Sequence, residues 1–472
     1  MVFNSIEFLI FLPIVVLLFY VLPQKLRWVM LLAASCVFYM WFVPKYILIL
    51  LVTIIVDFTA GVLMENYANR PKLKKTFLVV SIVSTLMVLM VFKYLNFLSA
   101  NLTLLCTQMG IELRWVTDII LPIGLSFHTF QSMSYVIEVY RGHQKAERHF
   151  GYYSLYVMFF PQLVTGPIER PGNLLRQLHE KKQFQYENIS RGMRLIIYGF
   201  FIKMVVADHL GAYVDKVYAA PSAYNSWSVM LAMVFYSFQI YCDFFGYSTI
   251  ALGSAKLMGF DISDNFRTPY LAKSIAEFWH RWHISLSTWF RDYVYIPLGG
   301  SRVKFGRWAF NILVVFVLSG IWHGAAWTFL FWGFAHGLLH IVEKVLRNRF
   351  PERETRSKGL KVILDVLRIA KTFVLVTLFW VMFRATDFAN MKDVFVAAVS
   401  NFSGGESLGV KPELWLYLGL FILSDLLLFN NRFDQWCENK PLVLRWLIYG
   451  LLIFMTVACS SVNSFPFIYF QF

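Results

Sequence analysis

The sequence predicts an all-α polytopic membrane protein. Of its 472 residues, 58% are hydrophobic and only 15% are charged, whereas soluble proteins carry about 25% charged residues. Apolar runs recur along the whole chain, many of them close to membrane-crossing length. The net charge of +15 fits basic cytoplasmic loops better than a nucleic-acid surface. These observations exclude an ordinary soluble protein, a disordered chain and a small secreted protein.

The N-terminal third alternates apolar runs with basic loops. A first span at 8–22 is followed by Lys25 and Arg27, which places the N-terminus outside the cell and this flank in the cytoplasm. Further runs cover 28–43, 46–64 and 77–92, and the basic loop 65–75 then falls inside by the same count. The stretch 99–118 should lie outside, and 118–138 crosses back. Neither a basic n-region nor a cleavage site opens the chain, so we expect no signal peptide.

The remaining apolar runs are uneven in length. They cover 152–168, 192–207, 226–247, 308–321, 325–342, 372–383, 413–428 and 442–460. Several are shorter than the ~20 residues needed to cross the bilayer, which favours re-entrant or partial helices beside about eleven full spans. No linker interrupts the chain, so we expect one membrane domain over 1–472. Its regions are N-terminal helices (1–150), a core with the motifs (151–345) and C-terminal helices (346–472), with 344–361 as a cytoplasmic loop.

A polar and aromatic segment at 277–292 is the first candidate site. Its sixteen residues include two His, two Arg, one Glu, one Asp and three Trp. Ionisable residues within membrane runs mark functional sites by default. Read as one helix, His280 and His283 share a face, and Ser287 joins them. A solvated helix face would usually carry Lys and Glu instead, so the composition favours function.

His323 is the second candidate, between Trp322 and Gly324. Basic flanks at 302–307 and 344–361 suggest that the stretch between them is a hairpin with His323 near its tip. Sixteen residues of helix from Arg307 span roughly 24 Å, less than the ~30 Å hydrocarbon core. We therefore expect His323 to lie inside the membrane, where reactants reach it only through a cavity.

Other intramembrane acids leave a non-enzymatic alternative open. Asp57, His128 and Asp425 are single polar groups on apolar segments, and we expect them to be satisfied by hydrogen bonds to neighbouring helices. Asp243, beside Gly246, fits a structural and a functional role equally well. These acids and the number of spans would also suit a transporter or flippase without acyl chemistry. Transporters often show inverted repeats, and the sequence shows none.

A metalloenzyme is the third alternative. His336, His340 and Glu343 have a spacing that can hold a metal. A membrane di-metal oxygenase would need more clustered histidines, and the five cysteines form no CxxC pair. No Walker motif, GxGxxG, GxSxG or HExxH occurs. We therefore expect no metal and no permanently bound cofactor.

Four sequence blocks and the chain ending carry a family resemblance. They are FFPQLVTGPIERP (159–171), QIYCDFFGYSTIALGSAKLMGF (239–260), FRTPYLAKSIAEFWHRWHISLSTWFRDYVYIPLGGSR (266–302), LSGIWHGAAWTFLFWGFAHG (318–337) and FPFIYFQF (465–472). With these blocks the sequence resembles the membrane-bound O-acyltransferase (MBOAT) superfamily, and within it the AlgI-like branch of alginate O-acetylation subunits. The sequence is less similar to the DltB-like branch, which transfers D-alanine to teichoic acids. The resemblance implies a helical bundle around a central tunnel.

The resemblance also implies a chemistry. The family's invariant histidine corresponds to His323, and its upstream polar partner, often Asn or Asp but His in this branch, corresponds to His283. An acyl thioester such as acetyl-CoA would enter from the cytoplasm. His323 would act as general base on the acceptor hydroxyl, a task that suits neutral imidazole. His283 would orient the acceptor or stabilise the developing oxyanion.

Further residues and partners follow from the same resemblance. Candidate positioning residues are Asp292, Arg281, Ser285, Trp282, Asp243 and His280. Candidate contacts to the phosphates of coenzyme A are Arg302, Lys304 and Arg307, although positive-inside topology also explains that loop. The expected function is O-acetyl transfer in the cytoplasmic membrane to an extracytoplasmic glycan, or to an SGNH-like, AlgJ-like or AlgX-like partner protein. D-alanyl transfer is the alternative activity, and no nucleic-acid partner is expected.

Overall fold

The computed structural model describes residues 1–112, 117, 119–164, 166–350, 357–460 and 467–468. Throughout these residues the regular structure is helical, with no named strand, so the predicted all-α class is confirmed. The predicted crossing 118–138, the loop 344–361, the block 159–171 and the ending 465–472 lie partly outside the described residues. Of the stretch 99–118, the residues up to Gln108 are helical.

Seven helical stretches of the described residues are long and apolar enough to cross a membrane. They are Tyr46–Asn66, Pro71–Gln108, Tyr186–Ala219, Ser226–Leu257, Phe305–His323, Trp327–Arg349 and Leu442–Cys459. The polytopic membrane character is thereby confirmed. The expected number of about eleven spans is larger, partly because the first apolar helix, Ile6–Val21, has only 16 residues against the ~20 needed for a crossing.

The described residues form two compact units, the first comprising 1–196 and 248–263. Its own helices are Ile6–Val21 (α1), Gln24–Met40 (α2), Tyr46–Asn66 (α3), Pro71–Leu89 (α4), Leu95–Gln108 (α5), Leu125–Arg141 (α6), Phe150–Met158 (α7), Phe160–Leu163 (α8) and Pro171–His179 (α9). Pro71 occupies the first turn of α4, where its missing N–H is not needed and its fixed φ favours the helix.

Asp57 of this unit links two helices. Its carboxylate accepts hydrogen bonds from Ser81 Oγ at 2.5 Å and Thr85 Oγ1 at 3.1 Å. Asp57 lies on α3, and both donors lie on α4. A buried carboxylate is costly unless it is hydrogen-bonded, so this acid holds two helices together, as the sequence predicted. The same prediction was wrong for His128, whose two ring nitrogens are buried without a hydrogen-bond partner among the described residues.

The second unit comprises 197–247 and 264–472. The helices that follow α9 are Tyr186–Phe200 (α10), Asp208–Ala219 (α11), Ser226–Leu257 (α12), Ile275–Arg281 (α13), Ile284–Phe290 (α14), Phe305–His323 (α15), Trp327–Arg349 (α16), Lys358–Arg384 (α17), Phe388–Ser400 (α18), Pro412–Leu428 (α19), Phe433–Glu438 (α20) and Leu442–Cys459 (α21). Residues of α10 and α12 belong to both units. A π-helical stretch, Phe201–Ala207, joins α10 to α11.

Three indoles form the centre of the second unit. Trp282, Trp332 and Trp380 are almost fully buried, and the ring centroid of Trp380 lies 4.9 Å from Trp282 and 5.9 Å from Trp332. Trp380 Nε1 donates a 3.1 Å hydrogen bond to Tyr270 Oη, so the buried polar atom is satisfied. Trp282, a predicted positioning residue, is therefore part of a rigid aromatic core.

Candidate active site

His323 lies at the end of a tightly packed helical hairpin. Helix α15 ends at His323, and α16 begins at Trp327. The two helices touch backbone to backbone: a Cβ on Gly320 would meet the carbonyl oxygen of Phe329, and a Cβ on Gly333 would meet that of Phe316. Only glycine permits this approach. The hairpin predicted from the basic flanks is present. The close contact between its two helices fixes the position of His323 relative to α16.

The side chain of His323 lies in an aromatic surround. It is 3% exposed, and its ring centroid lies 4.9 Å from Trp322, 5.2 Å from Trp332 and 5.2 Å from Phe383. All three contacts are edge-to-face, the arrangement that aromatic quadrupoles favour. The imidazole is therefore held in one orientation and shielded from bulk water.

His283 occupies a break between two short helices, so the prediction of one helix through 277–292 was wrong. Helix α13 ends at Arg281, Trp282 is extended, and His283 has φ 42° and ψ 56° in the left-handed region. The chain breaks here because outside partners satisfy its backbone. Ile284 N donates to the carbonyl of Asn265, and Arg267 N donates to the carbonyl of Arg281.

The break separates the two histidines that the helical interpretation placed on one face. His283 is fully buried, whereas His280 is exposed. His280 Nδ1 lies 2.6 Å from the carbonyl oxygen of Ala276 on its own helix. The structure thus assigns these neighbours to different environments, because the left-handed residue redirects the chain between them.

Asn265 orients the backbone and side chains around His283. Its Oδ1 lies 3.3 Å from His283 Nδ1 and accepts a 2.6 Å hydrogen bond from Ser285 Oγ. The ring of Phe244 meets the imidazole edge-to-face with 4.7 Å between centroids. Sequence reasoning missed Asn265, although the residue directly precedes the quoted block 266–302. Ser285, a predicted positioning residue, takes part in this network.

One indole connects the two histidines. The ring centroid of Trp322 lies 6.0 Å from that of His283 and 4.9 Å from that of His323. The two imidazoles, 40 residues apart in sequence, are therefore contacts of the same side chain. The two leading catalytic candidates are brought together in the second unit.

A cavity of about 290 Å³ lies near this pair, lined by sequence neighbours of the two histidines but by neither histidine itself. Its lining includes Ile284, which follows His283, and Ser319, which is one helical turn before His323. Apolar and aromatic side chains form most of the wall. The polar lining comprises His280, Ser287, Thr288, Arg291, Tyr295, Ser319 and His340. An apolar pocket with a few convergent polar groups is the usual form of a small-molecule site.

Arg281 and Asp292, two further predicted positioning residues, each form an ion pair with a residue close to them in sequence. Arg281 Nη2 pairs with Glu277 Oε1 at 2.8 Å, and its Nη1 donates to Asn430 Oδ1 at 2.6 Å. Asp292 Oδ1 lies 2.8 Å from Arg291 Nε. None of these three distances involves His283 or His323. The predicted phosphate contacts Arg302, Lys304 and Arg307 are exposed.

Asp243 belongs to a buried ion cluster that sequence reasoning did not find. Lys203 Nζ lies 2.6 Å from Asp243 Oδ1 and 2.6 Å from Asp208 Oδ1, and all three side chains are buried. Asp243 Oδ2 also accepts a 2.7 Å hydrogen bond from Ile468 N. Burial of charges is tolerated when they are paired in this way. A lone lysine within the apolar run 192–207 was the signal that could have revealed the cluster.

The side chains of the metalloenzyme alternative have other partners. Glu343 accepts hydrogen bonds from Lys371 Nζ at 2.8 Å and Ile275 N at 2.9 Å. His336 packs against aromatic rings, with its centroid 4.7 Å from Phe379. Across the described ranges, no three His, Cys, Asp or Glu side chains form a group that could hold a metal ion.

Comparison with known proteins identifies the family. The profile of the MBOAT, membrane-bound O-acyltransferase family, matches residues 74–385. The probable alginate O-acetylase AlgI of Azotobacter vinelandii is 38% identical over 390 residues, covering 82% of this chain and 76% of the relative.

Two further relatives differ in how much they cover. The peptidoglycan O-acetyltransferase of Helicobacter pylori is 31% identical, covering 82% of this chain and 77% of the relative. The teichoic acid D-alanyltransferase of Bacillus subtilis is 30% identical, but covers 46% of this chain and 57% of the relative. The resemblance drawn from the motifs is confirmed, and this multi-pass membrane chain belongs to the membrane-bound O-acyltransferase family.

Proposed function

We propose that the chain is an O-acetyltransferase that moves acetyl from a cytoplasmic thioester, such as acetyl-CoA, to a hydroxyl group on the other side of the cell membrane. The observation that carries this proposal is the pair of buried imidazoles, His283 and His323, in contact with one indole near a cavity. The names of the two relatives that cover most of this chain, an alginate O-acetylase and a peptidoglycan O-acetyltransferase, support acetyl as the group and a polysaccharide as the final acceptor.

His323 is the general base of the proposed reaction. Its neutral imidazole takes the proton of the acceptor hydroxyl while the oxygen attacks the thioester carbonyl carbon. The new C–O bond forms, the C–S bond breaks, and the leaving thiolate recovers the proton from the imidazolium. The aromatic surround of His323 supports this role, because exclusion of water limits hydrolysis of the thioester.

His283 orients the acceptor. A neutral imidazole has one N–H donor, and the amide oxygen of Asn265, which lies 3.3 Å from Nδ1 and can only accept, takes that N–H. The other ring nitrogen, Nε2, is then left to accept a hydrogen bond from a neighbouring hydroxyl group of the acceptor. Asn265 and the left-handed backbone fix the orientation of the imidazole, so Asn265 acts as the positioning residue of His283.

The 290 Å³ cavity would hold the arm of the donor that leads to the thioester, and the thioester itself must extend beyond the cavity, past Ile284 and Ser319, to reach the two histidines. Its wall is mostly apolar, as an acyl thioester requires, and Arg291 and Tyr295 contribute polar groups. Trp308 also lines the cavity, and Arg302, Lys304 and Arg307 directly precede it in sequence. In this proposal these three exposed cations would meet the phosphates of coenzyme A by charge-assisted hydrogen bonds.

In this proposal the acceptor binds from the outer face of the membrane. The hydroxyl belongs either to a surface glycan or to an SGNH-like, AlgJ-like or AlgX-like partner protein that passes acetyl on. The N-terminus would lie outside, as the basic loops predict. This orientation can be tested by introducing a cysteine in place of Lys25 or Arg27 and labelling it from each side of the membrane. Labelling of either cysteine from outside would contradict the proposed orientation.

The experiment that tests the proposal measures thioester cleavage and acetyl transfer by the purified protein given acetyl-CoA. His323→Ala should lose activity by about 10²- to 10⁴-fold, the usual contribution of a general base. His209→Ala is the matched control, because this half-buried histidine also contacts an aromatic ring, that of Tyr417. It should keep wild-type activity.

Each other outcome has a distinct meaning. Equal cleavage by wild type and His323→Ala would contradict the role of His323 and make His283 the next base to test. Cleavage of a D-alanyl thioester but not acetyl-CoA would favour the activity named for the Bacillus subtilis relative. Movement of substrate across a vesicle membrane without thioester cleavage would mean that the protein is a transporter and not an acyltransferase.

A further inference from the structure

An apolar groove lies between the last three helices of the second unit, away from the cavity described above. Its volume is about 180 Å³, and residues of α19, α20 and α21 line it together with Tyr198 and Phe201. We name it the α19–α21 groove. Its two hydroxyl groups are already used: Tyr198 Oη and Ser424 Oγ lie 2.9 Å apart, and Ser424 also donates to the carbonyl of Phe421. A polar ligand would find no partner there, whereas an alkyl chain would fit.

Two cations stand at one end of this groove. Ile448, Leu452 and Met455 of α21 line it, and Arg445 continues the same helical face one turn towards the N-terminus. Trp436 also lines the groove, and Lys440 Nζ lies 4.5 Å from the centroid of its indole. The α19–α21 groove is thus apolar along its length and has two positive charges at one end.

The Arg445 side chain has unused hydrogen-bonding capacity. Among the residues that the structure describes, its Nε is buried and has no hydrogen-bond partner. A buried donor without a partner is costly, so an outside acceptor would be favoured. The first turn of α21 contains no acidic residue and no side-chain cap, and its N-terminal N–H groups also favour an anion.

Nearby acids leave this charge largely uncompensated. Asp434 is held by Arg432 through hydrogen bonds of 3.0 Å and 3.1 Å, so that pair is neutral. Glu438, the last residue of α20, adds one negative charge to this part of the sequence, against the two positive charges of Lys440 and Arg445. A headgroup that adds an amine would be repelled by both cations, whereas a headgroup whose only charge is a phosphate would be attracted.

We propose that the α19–α21 groove binds an anionic phospholipid of the surrounding bilayer, with one acyl chain in the groove and the phosphate at Arg445 and Lys440. The surroundings of α21 support a lipid as the occupant. It is a candidate membrane span of which only 11% is buried, and Trp446 and Phe454 on its other faces are exposed. This site is independent of the proposed acetyl transfer.

The test is native mass spectrometry of the delipidated protein, titrated with phosphatidylglycerol or phosphatidylcholine of identical acyl chains. Two cations at about 1 kcal/mol each correspond to a preference for the anionic lipid of about thirtyfold. The double variant Lys440→Met, Arg445→Gln should lose this preference. Lys392→Met removes an exposed charge elsewhere and should keep it. Leu452→Trp, which fills the groove, should weaken binding of both lipids.

Three results would overturn the proposal. Equal binding of both lipids by the wild-type protein would mean that the two cations do not select a headgroup with a net negative charge. An unchanged preference in the double variant would place the anionic site elsewhere. Unchanged binding in Leu452→Trp, with the protein folded, would mean that no acyl chain enters the groove.

Discussion

The glycine contact between α15 and α16 leads to a sharp prediction for Gly320→Ala. The added Cβ would meet the carbonyl oxygen of Phe329, would lie 3.1 Å from its carbonyl carbon and would lie 3.3 Å from Gly333 Cα. All of these are backbone atoms, which cannot rotate away. The two helices must therefore separate to admit one methyl group.

The size of the effect follows from that separation. A carbon–oxygen contact is normally about 3.3–3.6 Å, so the helices must move apart by roughly 1 Å. Overpacking of this kind lowers the free energy of unfolding by about 1–3 kcal/mol. The higher helix propensity of Ala relative to Gly raises it by about 1 kcal/mol. The net loss of stability is therefore small, about 0–2 kcal/mol.

Activity should suffer far more than stability. His323 is three residues beyond Gly320 on the same helix, so it moves with the contact. A misplacement of about 1 Å at a reacting group reduces the rate by about 100-fold. Gly320→Ala should therefore lose about two orders of magnitude in acetyl transfer, while its melting temperature changes by only a few degrees.

The assay compares Gly320→Ala with Gly306→Ala, both in α15, for acetyl transfer and for thermal unfolding in detergent. A Cβ on Gly306 has no atom within 4 Å, so this variant should keep full activity. Wild-type transfer by Gly320→Ala would refute the reasoning, because it would mean that the position of His323 does not depend on the helix contact.

Three further predictions concern other parts of the molecule. Asn265→Ala should lower the rate of acetyl transfer about tenfold or more with little change in the melting temperature, because it releases the imidazole of His283; an unchanged rate would contradict the positioning role. Lys203→Met should destabilise the fold by about 3–5 kcal/mol by leaving two buried carboxylates unpaired, and adding Asp208→Asn and Asp243→Asn should restore much of the melting temperature; no rescue would argue against the ion cluster. Burial raises the pKa of the Glu169 carboxyl above its ordinary 4.5, so the folded state holds this proton more tightly than the unfolded state. The unfolding free energy of the wild type should therefore fall, relative to Glu169→Gln, as the pH rises above about 4.5, and parallel pH profiles would contradict this.

The sequence predicted the hairpin around His323 because the relevant signals are local. Basic flanks, two apolar arms and a polar turn all lie within about 60 residues, and the periodicity of a helix fixes distances along it. The break at His283 could not be predicted in this way. It depends on Asn265, 18 residues earlier, whose backbone replaces the intrahelical partners of Ile284.

The ion cluster illustrates a second limit of sequence reasoning. Lys203 stands out in an apolar run, so that a buried partner can be expected. Nothing local indicates which acid is the partner, since Asp208 is five residues away and Asp243 is forty. Only the packing of α12 against the π-helical stretch Phe201–Ala207 brings the second acid to the amine.

The backbone at His283 also narrows the choice of amino acids for this position. Left-handed φ and ψ values are uncommon for residues other than glycine, with Asn, Asp and His several-fold enriched. These are the three residue types that the wider family resemblance places at this point of the motif. The local backbone conformation thus favours a short list of polar side chains at this position, whatever chemistry the side chain performs. A designer who wishes to vary the polar group at position 283 should start from that list, since a helix-favouring residue such as Gln would be strained in this left-handed conformation.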